Sequence, residues 1–261
     1  MHPNLKFSLR LFTTNVKSTF AFRGAFFLQS GFMLLNNLIF FSVWLVFFRK
    51  FPELRGWKLG DVAALYGLVA AAFGGAMLLG GGVRNLGTKI IDGDLDTFLA
   101  QPKPVLLYVI GSYSFASGWG DVVSGIGLIC FSGYADPAHL PLLVLLIAGS
   151  TVLFLASAVL INSLPFWLGN FESLGRQLLE FLVTFSVYPQ VIFSGYFKVI
   201  LFTLIPAGFI GYLPVEILRS FSWTELFAFL GGVLFYSLLA LFVFARGLRH
   251  YESGNRIGLR T

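Results

Sequence analysis

Charge is what this sequence has least of. Asp, Glu, Lys and Arg make up 11% of its 261 residues, against roughly 25% in an ordinary soluble domain. So little charge cannot cover a water-facing surface, which excludes a conventional soluble globule. A single cysteine, Cys130, excludes an internal disulfide and reads as a small side chain in an apolar run. The three histidines, His2, His139 and His250, lie near the termini or in a loop. None has an Asp or Ser placed to build a catalytic constellation. A nucleotide motif is also missing. Gly82-Val-Arg-Asn-Leu-Gly87-Thr88-Lys89 has the glycine spacing of a phosphate loop. However, it ends Thr-Lys where that motif needs Lys followed by Ser or Thr, and it follows an apolar span instead of a strand. The chain is therefore expected to hydrolyse no ATP itself and to carry no cofactor. The net charge of +6 comes from residues scattered in ones and twos between apolar runs. That pattern suits orientation in a membrane and not nucleic-acid binding.

What is present is hydrophobic length. Apolar residues make up 57% of the chain, and the mean hydropathy is +0.82. Six runs are predicted to span a bilayer: residues 24–48, 60–82, 104–133, 139–167, 178–195 and 224–245. Twenty or so residues of helix cross a hydrocarbon core of about 30 Å. The 31 phenylalanines and 29 glycines suit lipid contact and close helix approach. Residues 1–23 hold four basic residues and no acid, and Leu5, Leu9, Phe12, Val16 and Phe20 share one helical face. This reads as an amphipathic helix at the membrane surface. Twelve of the 18 Lys and Arg residues fall in segments that six crossings would place inside together with both termini. The domain reading is one membrane domain over residues 1–261.

Polar residues inside the apolar runs are costly and mark candidate sites. Asn36 and Asn37 sit at the centre of the first run and Asp121 lies within the third; all three are candidates for a transport pathway. Pro206 and Pro214 break residues 196–222 into a candidate re-entrant hairpin, tolerated where protein or a cavity covers the freed backbone groups. Glu172, Arg176 and Glu180 form an i, i+4, i+8 stripe, a candidate interface at the inner face.

A quarter of the 12 acids crowd one short segment, as Asp92, Asp94 and Asp96. The spacing opens like a calcium loop, but Thr97 stands where that loop needs Gly and Lys103 where it needs Glu. No metal site is expected. Residues 83–99 mix these charges with Val83, Leu86, Ile90, Ile91, Leu95, Phe98 and Leu99 at spacings of three and four. That predicts a short amphipathic helix or helix pair lying under the bundle, stopped by Pro102 and Pro104. A partner could dock there, or the charges could simply keep the loop in water.

The segment GDLDTFLAQPKPV resembles a signature of one branch of the type-2 ATP-binding-cassette exporter permeases, through Gly93, Leu95, Asp96, Leu99 and Pro102. Gln101 departs from that pattern where a basic residue is usual. Tyr188-Pro189, Ile205-Pro206, Tyr212-Leu213-Pro214 and Tyr251-Glu-Ser253-Gly254 are similar to further motifs of the branch. The resemblance implies an all-α, six-span subunit in the inner (plasma) membrane, paired with a second permease subunit and driven by a separate cytoplasmic ATPase that holds ATP and Mg. It also implies that a coupling helix within residues 84–101 docks on that ATPase, with Gly93, Asp94, Leu95, Asp96, Phe98, Leu99 and Pro102 as contacts. The uncharged aromatic composition suggests an amphiphilic or lipid-linked substrate. A gradient-driven secondary transporter is the alternative reading, and a membrane enzyme a more distant one.

Overall fold

The computed structural model of the chain describes residues 3–193 and 195–251. It is 81% helix with no strand among the described residues, as expected of an all-α chain. Helix α1 (Pro3–Ala21) meets α2 (Arg23–Lys50) at Phe22. Leu11, Phe12, Asn15, Val16 and Thr19 form its half-buried side. Of the expected face Phe12 and Val16 lie on it, Phe20 is exposed, and the Leu5 and Leu9 side chains lie outside the described residues. Asn15 donates to the Gly111 carbonyl at 2.6 Å, so α1 lies against the first part of the third predicted span.

Helix α3 (Leu59–Gly80) is followed by a 3-10 turn, α4 (Leu86–Ile91), α5 (Asp96–Leu99) and α6 (Val105–Ile110). Helix α7 (Ser117–Ser132) leads to α8 (Leu140–Ser163), the single turn α9 (Pro165–Leu168) and α10 (Glu172–Val187). Then come α11 (Tyr196–Thr203), a π-helical turn (Gly208–Tyr212), α12 (Leu213–Arg219) and α13 (Trp223–Leu248). Among the described residues, four helical stretches are long and apolar enough to cross a membrane: Arg23–Lys50, Leu59–Ile91, Pro137–Leu168 and Trp223–Leu248. The predicted third span divides into α6 and α7, and α10 has 16 residues. Sixteen residues reach about 24 Å, short of a core of about 30 Å.

Helix α3 forms the centre of the bundle. Its Ala- and Gly-rich sequence is buried along nearly its whole length, because small side chains let neighbours approach on every side. Gly60, Gly67 and Gly74, seven residues apart, face Ser132, Gly125 and Gly118 of α7 in antiparallel register. A Cβ at Gly67 would lie 2.8 Å from the Gly125 carbonyl oxygen, and one at Gly74 2.6 Å from that of Gly118. The two backbones thus touch along most of α7. Helices α2 and α13 instead carry large side chains with many exposed, including Phe32, Ile39, Leu234, Leu238 and Phe242, as suits a lipid-facing position.

Residues 196–222 form a helix, a break at Pro206 and a second helical leg; Pro214, expected to break the chain too, lies inside that leg. Phe202 packs its ring against Phe209 and Tyr212, so the second leg folds back over the first. Pro206 and Pro214 are buried. Side chains bond carbonyls around the break. Tyr236 donates to the Thr203 carbonyl at 2.6 Å and Ser150 to that of Ile210 at 2.9 Å, while Tyr212 donates to Phe185. Such pairing is required wherever an irregular backbone meets an apolar surrounding.

Candidate functional site: a groove between two polar ends

The loops gather at two opposite ends of the bundle. At one end Asp61 and Arg219 form a clamp. Asp61 accepts the Lys58 backbone N–H at 2.8 Å, which caps α3, and the Tyr134 hydroxyl at 2.6 Å. Arg219 lies 3.4 Å from Asp61 and 3.2 Å from Glu216, and donates to the Gly56 carbonyl at 2.7 Å. Its guanidinium also covers the buried Trp57 ring at 5.3 Å. Arg55 donates to the Val191 carbonyl at 3.1 Å. Four loops are tied together by these contacts. The sequence signal for Asp61 was its place three residues into a helix; nothing in the sequence marked Arg219 or Tyr134.

Arg219→Met is expected to lower the stability of this end by about 1–3 kcal/mol, the usual cost of stranding a largely buried polar partner. Thermal unfolding of the purified chain and protease cutting in residues 51–58 measure it. Burial first, and then the bond to Asp61, push the Tyr134 hydroxyl from 10.0 up to about 12. A raised folded-state pKa contributes stability that is complete below the unfolded value and is lost as pH rises through the folded one. The clamp should therefore weaken between pH 10 and about 12, and Tyr134→Phe should remove that step.

The acidic turn lies at the other end. Gly93, with φ +76°, ends α4 in the left-handed conformation, and the Leu95 N–H returns to the Lys89 carbonyl at 3.2 Å. The structure gives the expected helix pair, but its apolar face points into the bundle. Val83, Leu86 and Ile90 are buried, and Leu95 is 0% exposed within the main core. Phe98 is half-buried, packed on Tyr108 at 4.9 Å and under Lys89 at 5.6 Å. This corrects the expectation for Leu95. It cannot reach a partner, because its side chain already fills the bundle's own core. Asp94, Leu99 (40%) and Pro102 are exposed, while Gly93 and Asp96 are partly covered.

Other segments converge on this end. Pro165 of α9 lies under Gly87. Phe166 packs on Phe244 and Tyr251. The Tyr251 phenol is pushed up to about 12 by burial first and then by the Asp96 carboxylate beside it. Two sequence motifs 155 residues apart, Gly93–Pro102 and Tyr251, are thus neighbours in space. Ser253 and Gly254 lie outside the described residues. Among the described residues no cluster of His, Cys, Asp and Glu could hold a metal ion.

Between the two ends run two cavities that share Phe73, Val183 and Thr184. The smaller, about 330 Å³, is lined near the acidic end by Arg84, Arg176 and Glu180. The Glu172 side chain lies outside the described residues. The larger, about 640 Å³, is a groove with α3 as its floor and α2 and α10 as its walls. Asn36, Asn37 and Asp121 all line it. Asn37 bridges two groups of α7, donating to Asp121 Oδ1 and to Ser124 Oγ, each at 2.8 Å. Ser124, absent from the sequence-based candidates, completes this buried network by donating to the Asp121 carbonyl at 3.0 Å. Pro206 and Pro214 are in the hairpin and do not line the groove.

An all-helical chain with several spanning helices, loops gathered at two polar ends and an internal groove is a multi-pass membrane protein. The sequence profile described as ABC-2 family transporter protein matches residues 33–255, and the chain belongs to that family. No curated protein and no solved structure matches it. ABC-2 family members are membrane components of transporters that work with an ABC ATPase.

Proposed function

We propose that this chain is the permease subunit of an ABC exporter, one membrane domain crossing six times by α2, α3, α6–α7, α8, α10 and α13. One observation carries this reading. Segments that the Lys and Arg distribution assigns to the inside (residues 84–103, 165–176 and 246–251) meet around the acidic turn, while those assigned outside meet at Arg219. The full-length antiparallel contact of α7 with α3 supports a crossing that the length of α7 alone does not carry. The acidic end faces the cytoplasm, and the membrane is the cell's inner membrane.

A separate ATPase, which binds ATP and Mg, docks on the acidic end. Its contacts are Asp94, Leu99 and Pro102, which form an exposed patch with a charged rim. Helix–helix packing connects this patch to the groove: α4 is buried under α9 and the α3 end, so movement of the patch moves α3. The working unit is a dimer with a second permease subunit, because a path for a bulky substrate needs more walls than one groove supplies. The Pro206–Pro214 hairpin closes the outer end. Family membership favours this mechanism over an ion-gradient transporter.

Affinity purification of the tagged chain from its native cells should retain an ATPase subunit, whereas the chain purified to homogeneity should show no ATP hydrolysis. Hydrolysis by the pure chain, or no ATPase in the native complex, would overturn the proposal. Thr97, exposed beside the acidic turn, gives the orientation test: Thr97→Cys in a Cys130→Ser background should react with impermeant maleimide only after the cells are opened.

A further inference from the structure

The larger groove has a chemical character that its size alone does not specify. Six aromatic rings line it: Phe40, Trp44, Phe47, Tyr66, Phe73 and Tyr188. Among its lining residues Asp121 carries the one ionisable carboxylate, and none is basic. Asp121 is 2% exposed. Its Oδ1 accepts from Asn37 at 2.8 Å, but its Oδ2 is buried with no hydrogen-bond partner among the described residues. A carboxylate held in an apolar surrounding with half of its acceptor capacity unused is costly on its own. A positive ligand nearby offsets that cost. Aromatic faces attract the same ligand, since their quadrupole presents negative charge to a cation, most strongly where water is excluded. A compact ammonium such as lysine's would lose its hydration in such a groove, whereas a large organic cation with apolar or aromatic substituents would not.

We infer that the groove between α2 and α10 binds hydrophobic organic cations, with Asp121 as the charge partner and the aromatic walls as the cage. The inference rests on the permease reading only in treating the bound cation as cargo. The wall formed by α2 supplies Phe40, Trp44 and Phe47 from the same face as Asn36 and Asn37, so one helix carries both the ring contacts and the hydrogen bond that orients the carboxylate. The groove continues past Phe73 into the smaller cavity, where Glu180 lies with Arg84 and Arg176, so the cation site is confined to the larger groove.

Tetraphenylphosphonium and tetraphenylborate test this, because they share shape and apolar surface and differ in the sign of charge. The full chain in lipid nanodiscs, with empty nanodiscs subtracted, should bind tetraphenylphosphonium saturably, and tetraphenylborate should not compete. Asp121→Asn keeps an acceptor for Asn37 and removes the charge. It should weaken binding by about tenfold or more, the scale of a desolvated charge contact. Phe40→Leu alters an exposed ring without touching the core and should weaken binding by about two- to fivefold. No saturable binding, equal competition by tetraphenylborate, or undiminished affinity in a folded Asp121→Asn protein would each overturn the inference. If Asp121→Asn does not fold, the cation–anion comparison and Phe40→Leu decide it. ATPase retention on the native complex is scored separately, so a failed cation site and a failed permease assignment give different results.

Discussion

Gly67→Leu or Gly74→Leu is expected to abolish the folded protein. At each of these positions α3 and α7 meet backbone to backbone. The first carbon of a side chain at Gly67 would lie 2.8 Å from the Gly125 carbonyl oxygen and 2.9 Å from the Ile129 backbone nitrogen. At Gly74 it would meet the Gly118 carbonyl at 2.6 Å and the Val122 nitrogen at 2.8 Å. Backbone cannot rotate aside as a flexible side chain can, so the helices must separate along their length. Inserting one extra methylene into a packed core typically costs about 1–3 kcal/mol, which is the effect expected of Gly67→Ala. A leucine requires several times that displacement, against a total stability of only about 5–15 kcal/mol for a typical domain. Gly127 lies on the same helix, α7, yet has nothing within 4 Å of its Cβ position, so Gly127→Leu should be tolerated. Size-exclusion profiles and thermal unfolding in detergent separate the two classes. A monodisperse Gly67→Leu protein melting like the native one would contradict the observed helix contact.

Leu95→Ala and Leu99→Ala should have opposite consequences although only four residues separate them. Leu95 is fully enclosed in the core, so its truncation removes buried apolar surface and leaves a cavity, at about 2–5 kcal/mol. The purified permease should melt earlier with no ATPase present. Leu99 is 40% exposed and should leave the melt of the isolated chain unchanged. Its loss should instead weaken ATPase retention by about fivefold to 30-fold, equivalent to about 1–2 kcal/mol of an interface anchor. A native-like melt for Leu95→Ala would refute the packing of this turn. Unchanged ATPase retention in Leu99→Ala together with Asp94→Asn would remove the acidic end as the docking surface and leave its charges as solvated loop.

The sequence alone determined the solvent and the class of fold. Charge scarcity and long apolar runs required a bilayer, because these depend on composition and length and not on contacts. The break at Pro206 was also legible, since backbone geometry limits what proline can do locally, whereas Pro214 sits inside a continuous helical stretch. The motif around GDLDTFLAQPKPV identified the family before any contact was visible. Tertiary structure decided which face of each element is used. The period of residues 83–99 revealed an apolar stripe but not its direction, and the structure turns Leu95 inward to the bundle where the sequence suggested an outward anchor. Asn37 and Asp121 each stood out as polar residues in apolar runs, yet 84 positions separate them, and only the antiparallel packing of α7 beside α2 and α3 brings them into one hydrogen-bonded site. Tyr134 and Arg219, which close the clamp on Asp61, and the six-ring groove have no local signature. A sequence encodes periodicity along one chain, whereas these sites arise where distant helices meet, and their partners are fixed by helix register and close backbone approach at Gly67 and Gly74.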